Sequence, residues 1–194
     1  MEFQNLKSLV KKNRSYRRFK QDYAVMRDEL LDLIDLARLT PSAANRQPLR
    51  YILSCDEETN ALIFPHLAWA AYLKGWNGPA EGERPSAYII ILNDTALGME
   101  VDCDHGIAAQ TILLGAAAKG LGGCMIAAIQ KEALRQALAI PERYRILLVI
   151  AIGKPSETVV IETVGPDGDI RYWRDEDGVH HVPKRSLDEI VLDL

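Results

Sequence analysis

Cysteine is scarce and poorly spaced for chemistry: Cys55, Cys103 and Cys124 are the only three in 194 residues, and no two form a C-x-x-C pair. An odd, scattered set argues against a disulfide framework, and the small or apolar neighbours of each predict buried, reduced thiols. Long apolar runs are missing as well. The richest, Ile146–Ile152, is strand-sized, well short of the ~18–20 residues a membrane-spanning helix needs. The opening MEFQNLKSLVKKNRS carries no apolar core after its charges and does not read as a secretory signal. Together these features predict a cytoplasmic protein with no membrane partner. Positive charge is also in short supply: 23 Lys+Arg stand against 27 Asp+Glu, a net charge of −4 that speaks against general nucleic-acid affinity.

The usual chemical signatures are absent too. There is no G-x-x-x-x-G-K-[ST] and no G-x-G-x-x-G after a strand, so neither a P-loop nor a dinucleotide fingerprint is present. No G-x-S-x-G elbow exists. His180 and His181 are adjacent, so in a strand they face opposite ways and cannot chelate one ion together. Asp102-Cys103-Asp104-His105 fits no common zinc or calcium spacing, and Asp104 reads as a helix N-cap. The chain offers no evident acid, base, nucleophile or metal site of its own. If it is an enzyme, a cofactor supplies the chemistry.

What the chain does have is periodicity. Length and the lack of any linker predict one domain over residues 1–194. A short basic helix is expected over Leu6–Lys12 and an amphipathic one over Arg27–Leu39, stopped by Pro41. Strands are expected at Arg50–Cys55, Ser86–Asn93, Gly123–Ile129 and Arg145–Gly153, with helices after Asp56 and near Lys131–Ala139. Asp104–Lys119 reads as a helix apolar nearly all round, closed by Gly120, and therefore buried in a core or at a subunit interface. Residues 74–85 read as a loop. The tail, with Thr158–Val164 and Ile170–Arg174 alternating around GPDGD, reads as an extended arm ending in a helix over Leu187–Leu194. The mixture without regular βα alternation points to α+β.

Three polar elements stand out against this background. From Lys7 to Lys20 there are seven basic residues and no acidic one, centred on NRSYRRFK. The loop PSAANRQP (41–48) gathers Ser42, Asn45 and Gln47, whose amides and hydroxyl can read the edge of a heteroaromatic ring or simply cap the loop. PKRS (183–186) brings a second basic pair, Lys184 and Arg185; with NRSYRR it makes a plausible two-sided phosphate clamp.

The combination resembles the FMN-dependent nitroreductase family. The family's R-S-x-R-x-F is matched by Arg14–Phe19, its A-P-S-x-x-N-x-Q-P-W-R-F by Thr40–Tyr51, and its A-A-Q-x-x-L-L-A-A-x-x-x-G-L-G by Ala108–Gly122. Leu138–Pro155 and Lys184–Val191 follow its remaining motifs in order, so the likeness covers nearly the whole chain. Leu49 and Ala127-Ala128 stand where the family usually has Trp and Gly-Gly.

The resemblance implies a central, mostly antiparallel sheet flanked by helices, in a homodimer whose extended C-terminal arm (155–194) wraps the partner. It implies FMN at the subunit interface. Arg14, Ser15, Tyr16 and Arg17 would meet the phosphate and ribityl chain, with Lys184 and Arg185 closing on the phosphate. Asn45 and Gln47 would approach the ring from the other subunit, and the backbone N–H groups near Ala127 and Ala128 would lie close to flavin N5 and O4, with Pro41, Ser42, Met125 and Ile126 also among the cofactor-binding residues. NADH or NADPH would then donate hydride in a ping-pong cycle to an electron-poor small acceptor such as a nitroaromatic or quinone. The alternative is a flavin-binding carrier or sensor without reductase turnover.

Overall fold

The computed structural model describes residues 2–98 and 103–192. Its centre is a five-stranded antiparallel sheet. β2 (Leu49–Ser54) pairs with β3 (Ala87–Asp94), and β3 pairs with the twelve-residue β5 (Tyr144–Pro155). The far edge of β5 serves two strands in turn: β4 (Gly122–Ile126) and then the two-residue β1 (Phe19–Lys20).

β3 is buried at every position, as its unbroken apolar run predicts for a strand covered on both faces. Ala87, Ile89 and Ile91 face one core with α2 (Arg27–Arg38) and α4 (Asp104–Ala118), while Tyr88, Ile90 and Leu92 face a second core with α3 (Glu57–Ile63) and α5 (Lys131–Ala137). On β5, a register shift opposite Ile91/Leu92 lets Ile146 join the second core although Leu148, Ile150 and Ile152 belong to the first. One extra residue has reversed the inside–outside parity of the strand.

Helix ends follow local chemistry in two places. The Asp56 side chain accepts from Thr59 N at 2.8 Å, the expected cap of α3. α4 ends in a Schellman arrangement: Gly120, at φ +74°, donates to Ala117 O, and Leu121 donates to Ala116 O at 2.9 Å. Asp104 corrects the sequence reading. The N-cap residue is Cys103, and the Asp104 carboxylate instead accepts from Ser42 Oγ (2.6 Å) and Ala43 N (3.1 Å), because two tertiary donors outbid the helix's own N–H groups. Cys103 is exposed rather than buried; Asp102 lies outside the described residues.

α4 is not buried all round in the single chain. Gly106, Gln110 and Ala118 form an exposed stripe edged by half-buried Ile107, Thr111 and Leu114. The tail is better organised than an extended arm. β6 (Val159–Thr163) and β7 (Trp173–Arg174) both pair with β8 (His180–Lys184), in parallel and antiparallel fashion respectively. A short helix α6 follows over Leu187–Ile190, ending before the expected Leu194; residues 193 and 194 lie outside the described set. α1 (Phe3–Lys12) begins three residues before the expected Leu6.

Candidate functional site

The site begins with a pair of glycines. A Cβ on Gly122 would fall 2.5 Å from Tyr16 Cδ2 and 2.6 Å from Pro155 Cγ; one on Gly123 would meet Leu113 Cδ2 at 2.6 Å and the Ala151 carbonyl oxygen. Without side chains there, the N-terminal segment lies directly along β4, where Ser15 bridges Gly123 and Tyr16 N donates to Gly123 O at 3.0 Å. This close approach fixes the residues on either side of Tyr16.

A buried carboxylate locks the next two. Glu157 Oε1 accepts from Arg17 N (2.5 Å) and Arg18 N (3.1 Å), and its Oε2 accepts from Arg174 Nη2 (2.9 Å). Its side chain is 1% exposed. Arg18 points away to Glu83. Arg17 points into a cleft, where its guanidinium donates to His180 Nε2 at 3.1 Å and lies 4.8 Å from the centre of the Tyr172 ring. Tyr172 is in turn packed between His180 (5.3 Å) and Tyr72 (5.0 Å).

This cleft, about 390 Å³, is lined by Arg14, Ser15, Arg17, Met125, Tyr172, His180 and Lys184 among others. Three cations thus converge on one concavity. Arg14 gives one donor to Val10 O at 2.7 Å, while its Nε is buried without a partner. Burial draws Arg14 below the ordinary guanidinium pKa, against a smaller opposing effect of Tyr16. His180 is held neutral: burial first, then Arg17 and Arg174, push its pKa down to about 4. Its neighbour His181 faces the other way. It lies between Glu162 (2.5 Å) and Asp175 (3.0 Å), stacked on Trp173 at 4.0 Å, and these carboxylates raise its pKa.

A second concavity of about 230 Å³ continues from the first, sharing Arg17, Met125 and Tyr172. Its walls are Cys124, Ile126, Ala127 and Ala128 on one side and the Ala68–Ala71 segment with Trp69 on the other. β4 stops at Ile126 rather than Ile129. The chain beyond is tied across to residues 66–68, with Ala68 N donating to Ala128 O and Gln130 N to His66 O, both at 2.9 Å. The combined shape is a cationic end opening into a smaller slot lined by small residues together with Trp69 and Tyr172.

Of the residues singled out in the sequence, Arg14, Ser15, Arg17, Met125, Ile126, Ala127, Ala128 and Lys184 meet in this cleft. Tyr16 does not line it: its ring covers Gly122 and its hydroxyl donates to Lys12 O. Arg185 does not either, lying 3.3 Å from Glu189 on α6. Pro41, Ser42 and Gln47 line a separate cavity of about 440 Å³ with Arg38, Arg46 and Arg50. There Ala44, Asn45 and Gln47 adopt positive φ (49°, 54° and 50°) on either side of right-handed Arg46 (φ −69°), in a loop anchored through Ser42 and Asp104. Asn45 is exposed and accepts from Gln47 Nε2 at 3.0 Å. Sequence reasoning missed His180, Tyr172, Trp69 and Glu157. His180 alone carried a signal, being one of an adjacent pair in which only one member can face inward.

The family model described as "Nitroreductase family" matches residues 10–154. YodC of Bacillus subtilis (strain 168), provisionally named an NAD(P)H nitroreductase, is 24% identical over 180 residues, covering 77% of this chain and 89% of that protein. A nitroreductase family protein from Streptococcus pneumoniae TIGR4 superposes with a TM-score of 0.70 at 18% identity, over 97% of this chain and all of the other. An FMN-dependent nitroreductase from Clostridium difficile R20291 gives 0.60 at 25% identity, covering 77% and 87%.

Proposed function

The chain belongs to the nitroreductase family, and from that premise we propose that it is an FMN-dependent oxidoreductase that takes reducing equivalents from NADH or NADPH. The observation that carries the reading is the convergence of Arg14, Arg17 and Lys184 on one cleft that opens into the Ala127–Ala128 slot. The residues present fit FMN. Three cations suit a terminal phosphate, the buried Arg14 Nε awaits an acceptor, and the slot is lined by small residues, as a flat ring requires. Bound there, the flavin would supply the hydride chemistry that no side chain of this protein offers.

The chain's own residues then have distinct tasks. Arg14, Arg17 and Lys184 neutralise the phosphate, and Ser15 adds a hydroxyl. Neutral His180 accepts from Arg17 and so aims its guanidinium without adding a competing charge. Tyr172 and Trp69 shield the slot from water. An electron-poor, flat acceptor such as a nitroaromatic or a quinone suits its apolar and aromatic lining.

A homodimer completes the site in this reading. The Pro41–Gln47 loop lies away from the cleft of its own chain, so its polar edge serves a partner's. Gln110 belongs both to the exposed stripe of α4 and to the lining of the cleft, so a partner docked on that stripe borders the flavin site. The tail up to Lys184 docks in cis, which leaves the exposed Leu187, Ile190, Val191 and Leu192 to reach across. The absence of any helix long and apolar enough to cross a membrane among the described residues suits a cytoplasmic enzyme.

The test is direct. The purified protein should carry or take up FMN, be bleached anaerobically by NADH or NADPH at a catalytic rate, and pass electrons to an acceptor panel. Arg14→Ala with Arg17→Ala should lose flavin while keeping the native far-UV circular dichroism. Retained FMN in the double variant would contradict the phosphate assignment. Retention in the wild type without bleaching would identify a carrier.

A further inference from the structure

A cavity of about 530 Å³ lies between the turn at Gln21–Ala24, α3 and the 81–86 loop, and it shares no lining residue with the flavin cleft. Its size is that of a small-molecule site. Three alternate residues leading into β3 line it: Arg84, Ser86 and Tyr88. Their polar atoms are underused. Arg84 Nε is buried with no hydrogen-bond partner, and the guanidinium lies over the Phe64 ring at 4.5 Å, engaged by no carboxylate among the described residues. Ser86 Oγ is likewise buried and unpartnered, although the Ser86 carbonyl accepts from Asn60 Nδ2 at 2.8 Å. The Tyr88 side chain is almost wholly buried, and burial raises its phenol pKa, so it remains protonated and able to donate.

Arg84 and Ser86 thus carry donor capacity that no protein acceptor uses, and both line the cavity, which suits an anionic or carbonyl group. The same cavity also carries the opposite charge at its exposed rim: Asp22, Glu57 and Glu81 line it with exposed side chains. A simple anion would satisfy Arg84 and be repelled by the rim. A simple amine would suit the rim and be repelled by Arg84. A ligand carrying both charges on adjacent atoms answers both, and Ala61, Phe64 and Pro85 offer apolar surface to the remainder.

We propose that this cavity is a binding site for a zwitterionic α-amino acid with an apolar side chain, its carboxylate on Arg84 and Ser86 and its ammonium toward the acidic rim. The proposal is independent of the flavin reading, because the two cavities have no residue in common.

Isothermal titration calorimetry of the protein as purified tests it, using L-leucine and L-phenylalanine against the single-charge analogues phenethylamine and 3-phenylpropanoate. The amino acids should give saturable heat, and each analogue should bind at least ~10-fold more weakly, as expected for loss of a charge-assisted contact. Arg84→Gln and Ser86→Ala should each weaken binding by a similar factor with flavin absorbance unchanged. Arg84→Lys keeps the charge but loses the bidentate fork, and should fall between wild type and Arg84→Gln. No saturable heat at about 10 mM amino acid overturns the proposal. So does equal binding of either analogue, or undiminished binding by Arg84→Gln.

Discussion

Replacing Glu157 with glutamine should be far more damaging than its isosteric shape suggests. One carboxylate oxygen accepts two backbone N–H groups, from Arg17 and Arg18, and the other accepts the Arg174 guanidinium. A glutamine amide offers one acceptor and one donor. Whichever way it turns, its NH2 faces either the two N–H groups or the guanidinium, so a donor meets a donor in a pocket where the side chain is 1% exposed. Breaking a buried ion pair by removing one partner destabilises by roughly 3–5 kcal/mol, and because the surviving oxygen keeps part of the network, about 3 kcal/mol is expected. That is a large share of the roughly 5–15 kcal/mol that holds a domain folded.

Urea unfolding of the flavin-free protein at pH 7 reads the loss as a shift in midpoint at unchanged slope. The same variant should bind FMN more weakly although Glu157 touches no part of the cleft, because Arg17 loses its anchor. A thermodynamic cycle with Arg174→Met isolates the pair: once the guanidinium is gone, Glu157→Gln should be milder by at least ~1.5 kcal/mol. A single-variant loss below about 1 kcal/mol, or strict additivity in the cycle, would refute the assignment of Glu157 as the lock of the site.

Other expectations follow from the same geometry. His180 has a folded-state pKa of about 4 against an ordinary 6.5, so the unfolded chain binds a proton that the folded chain refuses. Stability of the flavin-free protein should therefore fall as pH drops through the window from 6.5 to 4, and His180→Gln should flatten that stretch of the profile; an unchanged slope would count against a buried neutral imidazole. Gly123→Val should lower stability by at least ~2 kcal/mol through overpacking against Leu113 and the Ala151 carbonyl, with loss of flavin as Ser15 is displaced; a native Tm with full flavin would contradict this. Asp104→Ala removes the acceptor of Ser42 Oγ and Ala43 N, a loss of ~1–3 kcal/mol, and should speed tryptic cleavage after Arg46; unaltered cleavage would mean the loop is held by other means.

The parts of the fold legible in the sequence are those fixed by local pattern. The buried run of β3, the amphipathic α2, the Asp56 cap and the glycine stop of α4 each declare themselves within a few residues. The basic stretch around Arg14–Arg17 stood out for a similar reason, since its charge contrasts with the rest of the chain, and Arg14 and Arg17 do line one cleft with Lys184. What could not be read was which distant groups would compete for a side chain. Asp104 looks like a cap because the local rule says so, and only the folded chain brings Ser42 beside it. His180 and Glu157 take their roles from partners about 140 to 160 positions away, and such pairings leave no periodic trace. The all-apolar character of α4 was visible, but the stripe it leaves uncovered depends on where α1, α2 and β4 come to rest.

The cation cleft joins residues 14–17 to residues 172–184, with Arg17 and His180 separated by 163 positions. During synthesis the N-terminal half of the cleft therefore waits, exposed and strongly basic, until almost the last residue of the described chain has been translated. At elongation rates of roughly 5–20 residues per second that interval is on the order of ten seconds or more, long compared with helix or hairpin formation. No ligand of the cleft can template the early fold, so loading must follow translation of β8. Growth conditions that slow the closing strand β8 would leave a pool of nearly folded, ligand-free protein with an open anion-binding edge.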